Sequence, residues 1–316
     1  MTDSARLIGD RIIRPIFVFR PYGIIRGLSL LQYNFTELLF MLKTPVTIIL
    51  FFLSLGCGQK ANSTNSPVVK NTAPVVNILP FDSTIKTIHV LVALCDNKYQ
   101  GIVPVPPKIG NGQDPDNNLY WGCGAGIRTY FKNSKNWMLL KRYAIDSIKM
   151  ERLVFKHKKE NFYLVADAYN GKYIKKCTVD FLQSCSGQLK DTLNINGKTI
   201  GINGNSKLLS YIGHDGLMDF SLSQPFANTD NKIRDAIILA CISKRYFASH
   251  LIATKANPLV WSTGLMSPEA YTLHDALESY INKESIENIR ASAAKAYARY
   301  QKCGEKAARN LLVTGF

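Results

Sequence analysis

The stretch IKTIHVLVAL at 85–94 constrains the fold more than any other part of the chain. It is a β-branched run long enough for a central strand, and it closes abruptly on Cys95-Asp96-Asn97. Three further apolar runs read as strands, at 208–212, 235–240 and 258–263. Between them lie helix candidates: 125–130, ending near Asn133-Ser134, and 178–185, stopping at Gly187. The segments 152–155 and 161–169 flank a charged turn at 157–160, either as a hairpin or as a strand following a helix. Beyond the last strand the chain reads as helical. Ser267-Pro268-Glu269 offers a cap, a tolerated proline and an acid for the first turn. Leu273, Leu277, Tyr280 and Ile281 then fall on one face, and an alanine-rich helix over 285–301 is closed by Gly304. Strands alternating with helices predict an α/β domain over 81–316 with a largely parallel sheet. In such sheets, sites form where strands end. The Pro- and Gly-rich stretch 101–126 predicts a long irregular loop, a length that tends to carry function.

The N-terminal part has a different character. From Met41 the sequence reads MLKTPVTIILFFLSLGCGQK: one lysine, a short apolar run, then Gly56-Cys57 and a polar stretch. This is the layout of a secretory signal peptide, and the apolar run is short of the roughly 20 residues that span a bilayer. A small residue before a cysteine after such a run resembles the bacterial lipoprotein signal, in which Cys57 would be lipidated, although leucine is commoner where Ser54 stands. The expectation is a signal segment 41–57, a flexible tether 58–80 rich in Ser, Thr, Asn and Pro, and a non-native upstream extension over 1–40. The protein is then exported and held to the bacterial cell envelope by its lipid. The net charge of +16 is spread thinly. With no finger spacing, no RNA-binding aromatic motif and no long basic arm, it argues against nucleic acid. It describes instead a basic, solvated surface suited to an anionic membrane face or to acidic partners.

Two strands end on groups capable of nucleophilic chemistry. One runs Leu208-Leu-Ser-Tyr-Ile-Gly-His214, and the other, 27 residues on, runs Ala236-Ile-Ile-Leu-Ala-Cys241-Ile-Ser243. Adjacent parallel strands lie about 5 Å apart, so both tips would share one sheet edge. A cysteine nucleophile needs a base because its thiolate is the attacking species, and His214 can supply one.

The pair of motifs, Tyr211-Ile212-Gly213-His214 with a nearby glycine and Ala240-Cys241-x-Ser243, resembles the histidine and cysteine motifs of the caspase-like cysteine peptidases. That group includes caspases, metacaspases, legumains, gingipains and clostripain. The resemblance covers about residues 85–265. It implies a three-layer sandwich, Cys241 as nucleophile, His214 as general base, and an oxyanion held by backbone amides of Cys241 and of Asp215 or Gly216. The family usually has glycine directly after the histidine. Here Asp215 intervenes before Gly216, which puts the oxyanion geometry in question. Pocket positions in the family correspond to Asp96 and to Asp219, acids that would suit a lysine or arginine side chain; Asp96 reads equally well as a loop cap.

No cofactor is implied, and the substrate would be a protein or peptide. No C-x-x-C pair or zinc-finger spacing suggests a metal, and the acids of 114–118 lack EF-hand spacing. The six cysteines after Cys57 leave their pairing open, Cys177 with Cys185 being one of many combinations. Two other readings stand beside the peptidase: a catalytically silent caspase-like scaffold, and an unrelated α/β hydrolase, for which the chain shows no G-x-S-x-G.

Overall fold

The computed structural model describes residues 80–102 and 104–316. The expected extension 1–40, the signal segment with Cys57, and all but the last residue of the tether lie outside the described residues. In chain order the elements are β1 (Lys86–Ala93), α1 (Ile127–Lys132), β2 (Trp137–Ala144), β3 (Lys149–His157), β4 (Phe162–Tyr169), α2 (Ile174–Ser186), β5 (Lys190–Ile195), β6 (Lys198–Asn203) and β7 (Leu208–Gly213). There follow β8 (Asp235–Leu239), α3 (Ser243–Thr254), β9 (Asn257–Ser262), α4 (Ala270–Ile281), α5 (Ile286–Gln301), α6 (Glu305–Leu311) and β10 (Leu312–Val313).

Eight strands form one mixed sheet in the order β10-β9-β8-β7-β1-β4-β3-β2. The five strands β4, β1, β7, β8 and β9 are mutually parallel, β3 and β10 run antiparallel to them on either side, and β2 pairs antiparallel with β3 at one edge. β1 is central, as its composition demands: every residue after Lys86 is buried, so both faces must be covered. Each fully buried Val, Leu or Ile contributes about 1.5–3 kcal/mol. Val90 and Val92 face α1, α4 and α5 on one side of the sheet. Leu91 and Ala93 face α2 and α3 on the other. The described residues therefore form an α/β domain of three layers.

The 152–169 region takes the hairpin alternative, β3–β4, with β2 added as an edge strand. β5 and β6 form a separate two-stranded hairpin, whose Ile195, Ile200 and Ile202 pack on Val154, Tyr163 and Val165. That hairpin is tied down by a buried polar cluster. Arg152 donates to Asp167 through Nε (2.6 Å) and Nη2 (2.7 Å), His89 Nε2 lies 3.1 Å from Asp167, and His89 Nδ1 accepts from the Asn203 amide at 3.0 Å. α4 starts at Ala270 without a side-chain cap, so Ser267 does not cap it. The Ser267 amide instead donates to Tyr297 Oη at 3.1 Å, fixing the preceding loop against α5. α5 follows the sequence closely, with Ser285 Oγ accepting from the Asn288 amide.

The chain passes from β1 to β4 on one side and later to β7 on the other, so β1 and β7 flank a topological switch point. Crevices of this kind, at the carboxyl ends of parallel strands, are where open α/β sheets bind ligands.

Candidate functional site

His214 and Cys241 both lie just past the carboxyl ends of adjacent parallel strands, β7 and β8, next to the end of β1. The bend that presents His214 depends on Gly213. Its φ is +138°, and a Cβ there would sit 2.2 Å from the Ala93 carbonyl oxygen of β1. Only glycine lets β7 finish flush against β1 and then turn. The His214 carbonyl accepts from Tyr211 Oη at 2.7 Å, a buried phenol packed between Phe181 and Phe247. The loop is thus anchored from beneath by the strand that delivers it.

The imidazole is held by a partner that sequence reasoning assigned elsewhere. His214 Nε2 lies 2.7 Å from Asp219 Oδ2, and the same oxygen accepts from the Gly101 amide at 3.1 Å. A carboxylate so engaged fixes the orientation of the imidazole. With Nε2 donating to Asp219, Nδ1 is the basic nitrogen. It has no hydrogen-bond partner among the described residues, and solvent reaches it.

Asp96, the other acid expected at a pocket, lies in the turn after β1. It is buried, and its carboxylate accepts from the amides of Lys98 (2.7 Å), Tyr99 (2.9 Å) and Gly112 (3.0 Å) and from Gln113 Nε2 (2.7 Å). It organises the turn after β1 and the long loop, the capping alternative raised by the sequence.

Cys241 opens the sharp connection from β8 into α3. The next residue, Ile242, is β-branched yet has φ +52°, a conformation that costs of order 1–3 kcal/mol and gathers at functional sites. It is held there by its amide donating to Gly264 at 2.8 Å, while Ser243 Oγ donates to Ile238 at 2.9 Å and accepts from the Ser262 amide at 2.9 Å. Ser243, prominent in the motif, therefore stitches β8 to β9. Cys241 Sγ is half-buried and lies 3.4 Å from both the backbone nitrogen and the carbonyl oxygen of Met266. It makes no hydrogen bond to His214. Burial pushes the thiol pKa up, and the Asp215 carboxylate adds to this, while the Met266 amide works in the opposite direction.

Asp215, the residue that breaks the family pattern, turns inward. Its side chain is fully buried, Oδ1 accepts from the Leu217 amide at 2.9 Å, and Oδ2 has no partner among the described residues. Burial raises its pKa to about 7. The Asp215 and Cys241 amides donate no hydrogen bond among the described residues, whereas the Gly216 amide is turned toward Tyr211 Oη inside the molecule.

All six described cysteines are free. Among the described residues no group of three His, Cys, Asp or Glu could hold a metal ion, and no helix is long and apolar enough to cross a membrane. A hollow of about 600 Å³ beside α4 and α5, lined by Asp275, Glu278, Lys295 and Arg299 among others, contains none of the site residues. The Asp219 contact could have been sought as a carboxylate shortly after the histidine, and Tyr211 stands within the histidine motif itself. Comparison of the chain with family models, curated proteins and solved structures finds no match in any of the three.

Proposed function

We propose that the protein is a cysteine endopeptidase of caspase-like type, with Cys241 as nucleophile and His214 as base. The observation that carries this reading is the delivery of both groups to one edge by neighbouring parallel strands, with His214 Nε2 on Asp219 and Nδ1 left open. A nucleophile, a base and a group orienting the base are the parts that covalent catalysis requires. In the proposed reaction the Cys241 thiol passes its proton to His214 Nδ1 as the sulfur attacks the peptide carbonyl carbon. The oxyanion is received by the Cys241 and Asp215 amides. Asp219 stabilises the imidazolium, which then protonates the leaving amine. Water hydrolyses the thioester, with His214 as base, and restores the thiol. The strand order of the parallel core and the helices on both faces agree with a caspase-like arrangement. Export and lipid attachment at Cys57 belong to the same proposal and rest on the sequence.

A second reading, a silent scaffold, is favoured by one observation: Cys241 Sγ is bonded to Met266 rather than to His214, and burial raises its pKa. Incubating the full-length protein and its Cys241→Ala variant with a mixed peptide pool, and reading cut sites by mass spectrometry, separates the two. Cleavage that disappears in the variant is the expected result. Identical, uncut pools from both folded proteins would leave the scaffold.

A further inference from the structure

Beside the His214 edge the surface carries three lysines, Lys98, Lys172 and Lys175, set against aromatic rings. Lys98 Nζ lies 5.1 Å and Lys172 Nζ 5.8 Å from the centroid of the half-exposed Tyr99 ring, and Lys175 Nζ lies 5.7 Å from that of Phe220. The neighbouring Lys149 and Lys176 both pair with Asp180, whereas Lys98, Lys172 and Lys175 take part in no ion pair among the described residues. Helix stability does not explain them. Lys172 and Lys175 flank the start of α2, the end where the helix dipole disfavours positive charge, and no acid occupies its first turn.

This cluster adjoins the site through the backbone. Tyr99 is two residues from Gly101, whose amide bonds Asp219, and Phe220 directly follows Asp219. It is also preorganised. Asp96 fixes the amides of Lys98 and Tyr99, and Gln113 Nε2 bridges Asp96 (2.7 Å) to Asn170 Oδ1 (3.0 Å). Asn170 Oδ1 in turn accepts from the Lys172 amide at 3.0 Å. The two turns bearing the lysines are thereby locked to each other.

We propose that Lys98, Lys172 and Lys175, set around the Tyr99 and Phe220 rings, form a docking rim for acidic side chains of the polypeptide bound at the His214–Cys241 edge. This rests on the peptidase reading for the identity of the occupant. Cations held on aromatic faces keep their charge while their stems are ordered, so an acidic segment meets a fixed array. Each exposed pair contributes modestly, and three together amount to about a tenfold preference at low salt.

The test uses full-length protein carrying Cys241→Ala and fluorescent peptides that differ only in Glu, Gln or Lys content. Anisotropy at low salt should show the Glu peptide binding about tenfold tighter than its Gln counterpart, with the gap shrinking as salt rises. Lys98→Glu, Lys172→Glu and Lys175→Glu together should abolish the preference. The control with the same change in net charge, Lys283→Glu, Lys295→Glu and Lys306→Glu, should retain it, with thermal melting checking the fold of both. Equal binding of Glu and Gln peptides overturns the rim, as does loss in the control. Lysine-dependent binding to phosphatidylserine vesicles without any peptide preference overturns it too, in favour of a membrane face. Cleavage by the unmodified protein is scored separately. Glu-selective binding without cleavage keeps the rim and removes the peptidase, and cleavage indifferent to Glu keeps the peptidase and removes the rim.

Discussion

Replacing Asp215 by asparagine isolates the effect of one buried charge. The wild-type carboxyl is fully buried with Oδ2 unpartnered, and its pKa is raised from 3.8 to about 7. At 1.36 kcal/mol per unit this corresponds to about 4 kcal/mol, an upper bound. The sign follows from proton binding. Between these values the folded protein holds a proton that the unfolded chain has released. The contribution is complete below pH 3.8 and is lost as pH rises through about 7. Asparagine keeps an oxygen for the Leu217 amide and cannot ionise. Asp215→Asn should therefore match wild type most closely near pH 3.5 and already be the more stable by about 1.6 kcal/mol at pH 5. At pH 8.5 it should be the more stable of the two, by up to about 4 kcal/mol. Comparing the two proteins at each pH cancels every other titrating group. Because Asp215 also raises the Cys241 pKa, alkylation of Cys241 by iodoacetamide at neutral pH should be faster in the variant. A stability difference that stays the same at pH 5 and pH 8.5 would refute the assignment of a buried, ionising Asp215.

Gly213→Ala should cost more than about 3 kcal/mol or abolish soluble expression, since its Cβ would meet the Ala93 carbonyl at 2.2 Å in a positive-φ conformation; denaturant midpoints measure this. Asp219→Asn should lower turnover about 10- to 100-fold with little change in melting temperature, because it loses the charge that orients and stabilises the His214 imidazolium while the loop keeps its backbone bonds. An unchanged rate would remove Asp219 from the mechanism. Burial holds the His89 pKa below its usual value, so the unfolded chain takes up that proton first. Stability should then fall as pH drops below about 6.5, and His89→Gln should flatten that part of the denaturation profile.

The parallel core was legible because its strands are apolar runs buried on both faces, and runs of that kind at 85–94, 208–212, 235–240 and 258–263 leave few alternatives. The edges were not. β2, WMLLKRYA, has only Trp137 fully buried and lacks strict alternation, since a bulge between Leu139 and Lys141 shifts its register on β3. α3, SKRYFASHLIAT, is equally quiet: Phe247 and Leu251 are its only large buried apolar side chains. The site divides in the same way. His214 and Cys241 could be found because strand ends are defined by the strands. The group on His214 could not be told from a pocket acid, because the choice is made by a short 3-10 turn at Gly216–Met218 that brings Asp219 back to the imidazole. Asp215 looked like an intruding charge for a related reason: its inward orientation is set by its own capping bond to Leu217.

The resting state of Cys241 bears on how such a site would work. A preformed thiolate–imidazolium pair would need a lowered thiol pKa, yet burial and Asp215 both oppose this. The sulfur is clasped by the Met266 amide and carbonyl, in the loop that also fixes Ile242 through Gly264. The loop thus sets both the thiol and the strained residue beside it. On the peptidase reading, proton transfer to His214 would belong to the bound state, with a substrate displacing Met266 from the sulfur and excluding water. An active-site titration should accordingly show slow alkylation of the free protein that accelerates with a non-cleavable peptide bound. Fast alkylation of the free protein, with no response to peptide, would instead mean that the thiolate is already present and that Met266 does not restrain it.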